Sequence, residues 1–202
     1  TVWRQADTYG VPRLVFINKL DRVGSNFFRV LEAIRAKLGS NVVAAQVPIG
    51  REKDFDGVVD LVERRALRFD SQSLGEKVIE EDVPEELAAE VEACREKLIE
   101  AAAEFDDGLM ESYVEGRDIS AEELRAAIRA GTLLGKLVPV FAGAALRNLG
   151  VQPLMDAVGH YLPAPEDLDA VEGTNPHNGA EVVRSLNAAE PFCALAFKTV
   201  AD

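Results

Sequence analysis

Asn18, Lys19 and Asp21 carry the chemistry most easily named in this chain. They follow the apolar run Leu14-Val15-Phe16-Ile17 as Asn-Lys-Leu-Asp. A buried strand would therefore deliver a polar tetrad at its carboxyl end, the edge of an open α/β sheet where ligands bind. Guanine offers two donors side by side, its ring N–H and its exocyclic amine. The Asp21 carboxylate can accept both, whereas adenine has no such pair and would leave it unsatisfied. Sites built on hydrogen bonds discriminate by roughly 10⁴–10⁵. Asn18 can bond the other edge of the base, and the stem of Lys19 can lie along the ring face.

A second candidate is Gly143-Ala144-Ala145-Leu146, which follows the apolar run Leu137 to Phe141 and precedes a helical segment. Small residues there let backbone approach a ligand, and a backbone N–H could bond the base oxygen. A complete GTPase also needs a phosphate cradle, G-x-x-x-x-G-K-[ST]. The nearest run, Gly131-Thr132-Leu133-Leu134-Gly135-Lys136-Leu137, is one residue short and lacks the metal-binding hydroxyl. Asp54-Phe55-Asp56-Gly57 matches D-x-x-G, but it has no strand before it and follows the base-reading motif, so it is expected to be a hairpin turn. No nucleophile–base constellation is visible. His160 and His177 have no ligand-spaced partners, and Cys94 and Cys193 match no metal or redox spacing. No catalytic or metal residue is assigned.

These motifs need a scaffold of strands and helices. The sequence predicts a strand over 11–17, a helix over 26–38 ended by Gly39, and a β run over 42–49. A hairpin is expected over 55–69. Pro84 should open a long helix with a Leu87, Val91, Cys94, Leu98 seam. A second helix ends at Gly116. Ser120-Ala121-Glu122-Glu123 is a capping box starting a third, with Gly131 expected to stop it. The strand 137–141 and a final helix to Leu162 complete the set, and 163–189 is expected to be a linker. The chain opens inside a helical segment and closes on an unpartnered strand, the pattern expected of a fragment.

Net charge is −13, and Glu76 to Glu123 holds 18 acidic against 4 basic residues. That segment should not grip nucleic acid, but suits a basic partner. No apolar run approaches a membrane span, and there is no secretory leader, so a cytoplasmic, reducing setting is expected.

The order of motifs resembles bacterial elongation factor G, a family of translational GTPases. The likeness runs through strand–Asn18-Lys19-Leu20-Asp21-Arg22, Gln46-Val47-Pro48-Ile49-Gly50, Phe55-Asp56-Gly57-Val58-Val59-Asp60-Leu61 and Asp106-Asp107-Gly108-Leu109-Met110-Glu111-Ser112-Tyr113. It continues through Gly150-Val151-Gln152-Pro153-Leu154-Met155-Asp156-Ala157-Val158, Tyr161-Leu162-Pro163 and Leu195-Ala196-Phe197-Lys198. The resemblance implies an α/β fold: the C-terminal part of a P-loop GTPase domain, with parallel strands and flanking helices, over 1–38 and 136–162. It implies an inserted α+β subdomain over 39–135 and the first strand of a β-barrel domain over 190–202. It implies GTP or GDP as ligand, with Mg²⁺ ligands and phosphate loop preceding Thr1, so that this fragment alone is expected to be inactive. Asn18, Lys19 and Asp21, with the Gly143-Ala144-Ala145-Leu146 loop, are implied to contact guanine. Ala144 stands where the family usually has Ser, so only its backbone can serve. The implied partners are the ribosome and, at the acidic insert, the ribosomal stalk protein. An interaction module docking that protein, and a factor G paralogue in ribosome recycling or protection, are the alternatives.

Overall fold

The computed structural model describes residues 1–38, 41–70, 73–167, 170–187, 189, 191–192, 194 and 198–200. Gly39, Cys193, Leu195-Ala196-Phe197 and most of the expected 190–202 strand lie outside those residues. Two compact units divide at Leu162 and Pro163.

The first unit is mixed α/β. A parallel sheet has the order β1-β7-β2, from β1 (Val15–Ile17), β7 (Leu137–Ala142) and β2 (Asn41–Ala44). The β1–β7 register pairs Val15 with Val140, Phe16 with Phe141 and Ile17 with Ala142. All six residues of β7 are buried, as expected for a central parallel strand covered on both faces. Helix α1 (Val2–Thr8) precedes β1 and α2 (Phe27–Leu38) follows it. α2 and the long α3 (Ala88–Ala103) pack against β2, while α5 (Ala121–Leu133) packs against β7 and α6 (Val151–Tyr161).

A second, antiparallel sheet runs β3-β4-β5-β6, from β3 (Gln46–Ile49), β4 (Gly57–Asp60), β5 (Arg65–Phe69) and β6 (Val78–Glu81). The expected hairpin at 55–69 is the β4–β5 pair. Helix α4 (Asp107–Val114) packs on α3. Both the Asp106 cap on the Leu109 N–H and the Ser120–Glu123 capping box are formed.

Several expectations are corrected. The strand expected over 11–17 is only Val15–Ile17. Pro12 has no N–H, and Gly10 at φ +61° turns the chain out of α1, whose Ala6 carbonyl accepts the Val11 N–H. The single run 42–49 is two strands in two sheets. Ala45 sits at the corner: its N–H donates to Val140 O and its carbonyl accepts the Leu61 N–H. Residues 41–44 therefore belong to the parallel sheet, not to the insert assigned to 39–135, and the two sheets lie in one compact unit. Gly131 does not stop α5, which runs to Leu133. It is glycine because a Cβ would stand 2.5 Å from the Phe105 ring and 2.8 Å from Leu137 Cβ.

Arg95 was not foreseen. It lies on the buried face of α3 at 4% exposure. Its guanidinium donates to Leu61 O, to Val62 O at 2.9 Å and to Ile119 O at 2.9 Å. One cation thereby ties α3 to the end of β4 and to the segment before α5. Burial lowers its pKa below the usual arginine value.

Within the second unit, 163–189 is not plain linker. Ala170–Thr174 (β8) and Glu181–Ser185 (β9) form an antiparallel hairpin. Asn175 and Gly179, the latter at φ +70°, close its turn.

Candidate functional site

The parallel pairing of β1 and β7 brings both candidate loops to one sheet edge. The ladder continues past the strand ends: the Gly143 N–H donates to Ile17 O at 3.1 Å and the Leu20 N–H to Gly143 O at 3.1 Å. Gly143 allows this close approach, since a Cβ there would lie 2.4 Å from both Leu149 O and Phe16 Cζ.

Asn18 ties the loops together. Its Oδ1 accepts the Ala145 N–H at 2.9 Å and the Lys19 N–H at 2.7 Å. The second bond supports Lys19 in the left-handed region at φ +65°, a conformation costly for a residue with a Cβ. With Oδ1 engaged, the amide's Nδ2 is the part of Asn18 left for a ligand. Leu20 is buried as the anchor of the tetrad. Its carbonyl accepts the Ser25 hydroxyl at 2.6 Å, and the Arg22 N–H closes a turn on Lys19 O. Asp21 is half-buried and Lys19 exposed. Neither side chain has a hydrogen-bond or ion-pair partner among the described residues, so both remain available.

The opposite loop is short and closed. Ala144 is buried and exchanges two backbone bonds with Leu149, at 2.9 and 3.2 Å. No side-chain hydroxyl is needed for that closure. Ala145–Arg147 make a single 3₁₀ turn ending on Asn148 at φ +56°. Ala145 is exposed, with its N–H on Asn18, and Leu146 is 94% exposed. Gly150, at φ +82°, faces Ala142 O too closely for a Cβ and sets the entry into α6.

Residues without a legible signal complete the site. The Glu52 carboxylate accepts the Gly24 N–H at 2.7 Å, and Arg29 donates to Gly24 O at 2.7 Å, clipping the loop between the tetrad and α2. Gln46 is fully buried, and its Oε1 accepts the Ala142 N–H at 3.2 Å at the end of β7. The rejected phosphate-loop run 131–137 sits at the carboxyl end of α5, where carbonyls rather than N–H groups are exposed, the wrong polarity for an anion. Among the described residues no group of three or more His, Cys, Asp or Glu could hold a metal ion, and no helix is long and apolar enough to cross a membrane.

Residues 1–164 match the family model described as the elongation factor Tu GTP binding domain. The chain belongs to this family of translational GTPases. Its parallel sheet with flanking helices is accordingly that of a P-loop GTPase domain. A crystal structure from Thermus thermophilus is similar at 31% identity with a TM-score of 0.70, over 82% of this chain. The chain spans 24% of the length of that Thermus protein. The sheet edge carrying Asn18, Asp21 and Ala145 thus lies in a GTP-binding domain.

Proposed function

We propose that this chain supplies the guanine-reading side of the nucleotide site in an elongation-factor-G-like ribosomal translocase. The observation that carries the reading is the Asn18 Oδ1 bond to the Ala145 N–H, which joins the two loops on the edge where a base would sit. The Asp21 carboxylate accepts the ring N–H and amine of guanine, Asn18 Nδ2 donates to its far edge, and Lys19 lies along one ring face. The Leu146 N–H, which has no protein acceptor among the described residues, donates to the base oxygen, the Ala145 N–H being taken by Asn18 Oδ1. GTP and GDP share this base, so these residues select the nucleotide and do not perform its hydrolysis.

The test is nucleotide competition in the full-length protein. Wild type should prefer GDP over ADP and over xanthosine diphosphate. Asp21→Asn should shift preference toward xanthosine diphosphate, because an amide offers a donor where the carboxylate only accepts. Unchanged guanine preference in that variant would sink Asp21 as the base reader.

A second reading is supported by charge. Glu90, Glu92, Glu96 and Glu100 along α3, and Glu104 at its C-terminal cap, are all exposed. Of these, Glu92 pairs with Arg64 and Glu100 accepts the Tyr113 hydroxyl, leaving the others to a basic partner such as the ribosomal stalk protein. Titration of stalk protein against the full-length protein, with Glu90, Glu96 and Glu104 neutralised together, tests it. Equal affinity before and after would remove this surface from consideration.

A further inference from the structure

The turn between β5 and β6 belongs to the antiparallel sheet, yet it is built against the 145–149 loop at the base-reading edge. Gly75 is buried there at φ +78°. A Cβ on it would lie 2.8 Å from Asn148 O and 2.9 Å from Arg147 O. Both are backbone atoms, which cannot swing aside as a side chain would. The turn is internally braced. The Gly75 N–H donates to Asp70 O at 2.9 Å, the Glu76 N–H to Ser73 O at 3.1 Å, and the Lys77 N–H to Ser73 Oγ at 2.9 Å. Gln152, in the first turn of α6, grips the same point: its Nε2 donates to Gly75 O at 2.8 Å.

We infer that Gly75 and Gln152 are positioning residues for guanine binding: the 73–77 turn is a stop against which the 145–149 loop is seated. The inference rests on the guanine reading above. A continuous backbone path supports it. Gly75 touches Asn148, whose N–H donates to Ala145 O at 3.0 Å, and the Ala145 N–H is held by Asn18. Neither Gly75 nor Gln152 touches the base. They act by fixing where the Leu146 N–H points and by seating the Ala145 N–H on Asn18. Their chemistry suits the task. Only glycine offers a left-handed backbone at van der Waals range of two carbonyls. A neutral amide donor brings no charge to the loop.

The experiment measures release of a fluorescent GDP analogue from the full-length protein by stopped flow, chased with excess GDP. Gln152→Ala removes the tether without adding bulk, and Gly75→Ala forces the turn off the Arg147 and Asn148 carbonyls. Loss of one neutral hydrogen bond corresponds to about 3- to 10-fold, so Gln152→Ala should release the analogue about 3- to 10-fold faster, and Gly75→Ala faster still. Association rates should be unchanged, because loops assembled loosely still admit the base. The unfolding midpoint of Gln152→Ala should fall by no more than about 2–4 °C, which one lost hydrogen bond accounts for; that limit separates positioning from general damage. Should Gly75→Ala fail to fold, Gln152→Ala alone decides. Release from Gln152→Ala at the wild-type rate overturns the inference. So does faster release accompanied by a drop in the unfolding midpoint larger than that limit. Absence of GDP binding by wild type would instead overturn the guanine reading itself, and this inference with it.

Discussion

Substitutions at Asn18 separate its two roles. Its Oδ1 accepts two backbone N–H groups, from Lys19 and Ala145. Its Nδ2 is the part proposed above to meet the base. Asn18→Ala removes everything. Asn18→Asp keeps an acceptor for both N–H groups and removes only the donor. Each lost hydrogen bond costs about 0.5–1.5 kcal/mol. Asn18, Lys19 and Ala145 are exposed, so water replaces part of the loss and the pair is worth about 1 kcal/mol, the low end of that range. In a unit running from Thr1 to Leu162 that lowers the unfolding temperature by about 2–4 °C. Asn18→Asp should stay within about 0.5 kcal/mol of wild type, as surface changes usually do. Both variants should lose guanine nucleotide affinity. Thermal unfolding beside a GDP titration of the full-length protein gives the two readouts. Wild-type stability in Asn18→Ala, or equal destabilisation by both substitutions, would refute the loop-tying role.

Two further perturbations test the scaffold. Arg95→Met strips the donors from three buried carbonyls; at about 1–3 kcal/mol for each unsatisfied group, urea unfolding should show a loss of about 3 kcal/mol or more, and a loss under about 1 kcal/mol would contradict the structure. Asp60 is held above its usual pKa of 3.8 chiefly by burial, although the Glu63 and Val62 N–H groups bond it. Because the folded chain then holds that proton more tightly than the unfolded chain, Asp60 costs stability as pH rises from 3.8 through its folded pKa. Asp60→Asn, which keeps an acceptor for both N–H groups, should therefore be more stable than wild type at pH 7. Urea midpoints across pH should show that advantage closing as pH falls below 3.8; an advantage independent of pH would refute it.

The pairing of β1 with β7 is legible because both runs are apolar on consecutive residues and both lead into loops able to meet one ligand. The Ser120–Glu123 box is legible because its two bonds close within four residues. What escapes the sequence is long-range polar traffic. Arg95 looks like one more charge on a charged helix, and its acceptors lie 24 to 34 residues away. Gln46 interrupts an apolar run for an N–H 96 residues distant. Glu52 clips a loop 28 residues before it. Gly131 misleads because a helix-ending glycine and a glycine under an aromatic ring look alike until the ring is placed. The β8–β9 hairpin is diluted by acidic residues, Asn and Gly, which favour the linker assignment.

The corner at Ala45 bears on how such a domain can be rebuilt. The chain passes there from one sheet into the other, and each neighbour takes a bond from the crossing: Val140 O receives the Ala45 N–H, Ala45 O receives the Leu61 N–H, and Gln46 Oε1 receives the Ala142 N–H. Excising residues 46–135 and splicing the ends would leave the Ala142 N–H without its partner, next to Gly143 on the candidate nucleotide edge. The second sheet is therefore not a detachable cassette. A lineage or an engineer wishing to shorten this domain would have to supply a new acceptor for that amide and a new cover for β2 and β7, against which α3 and α5 pack.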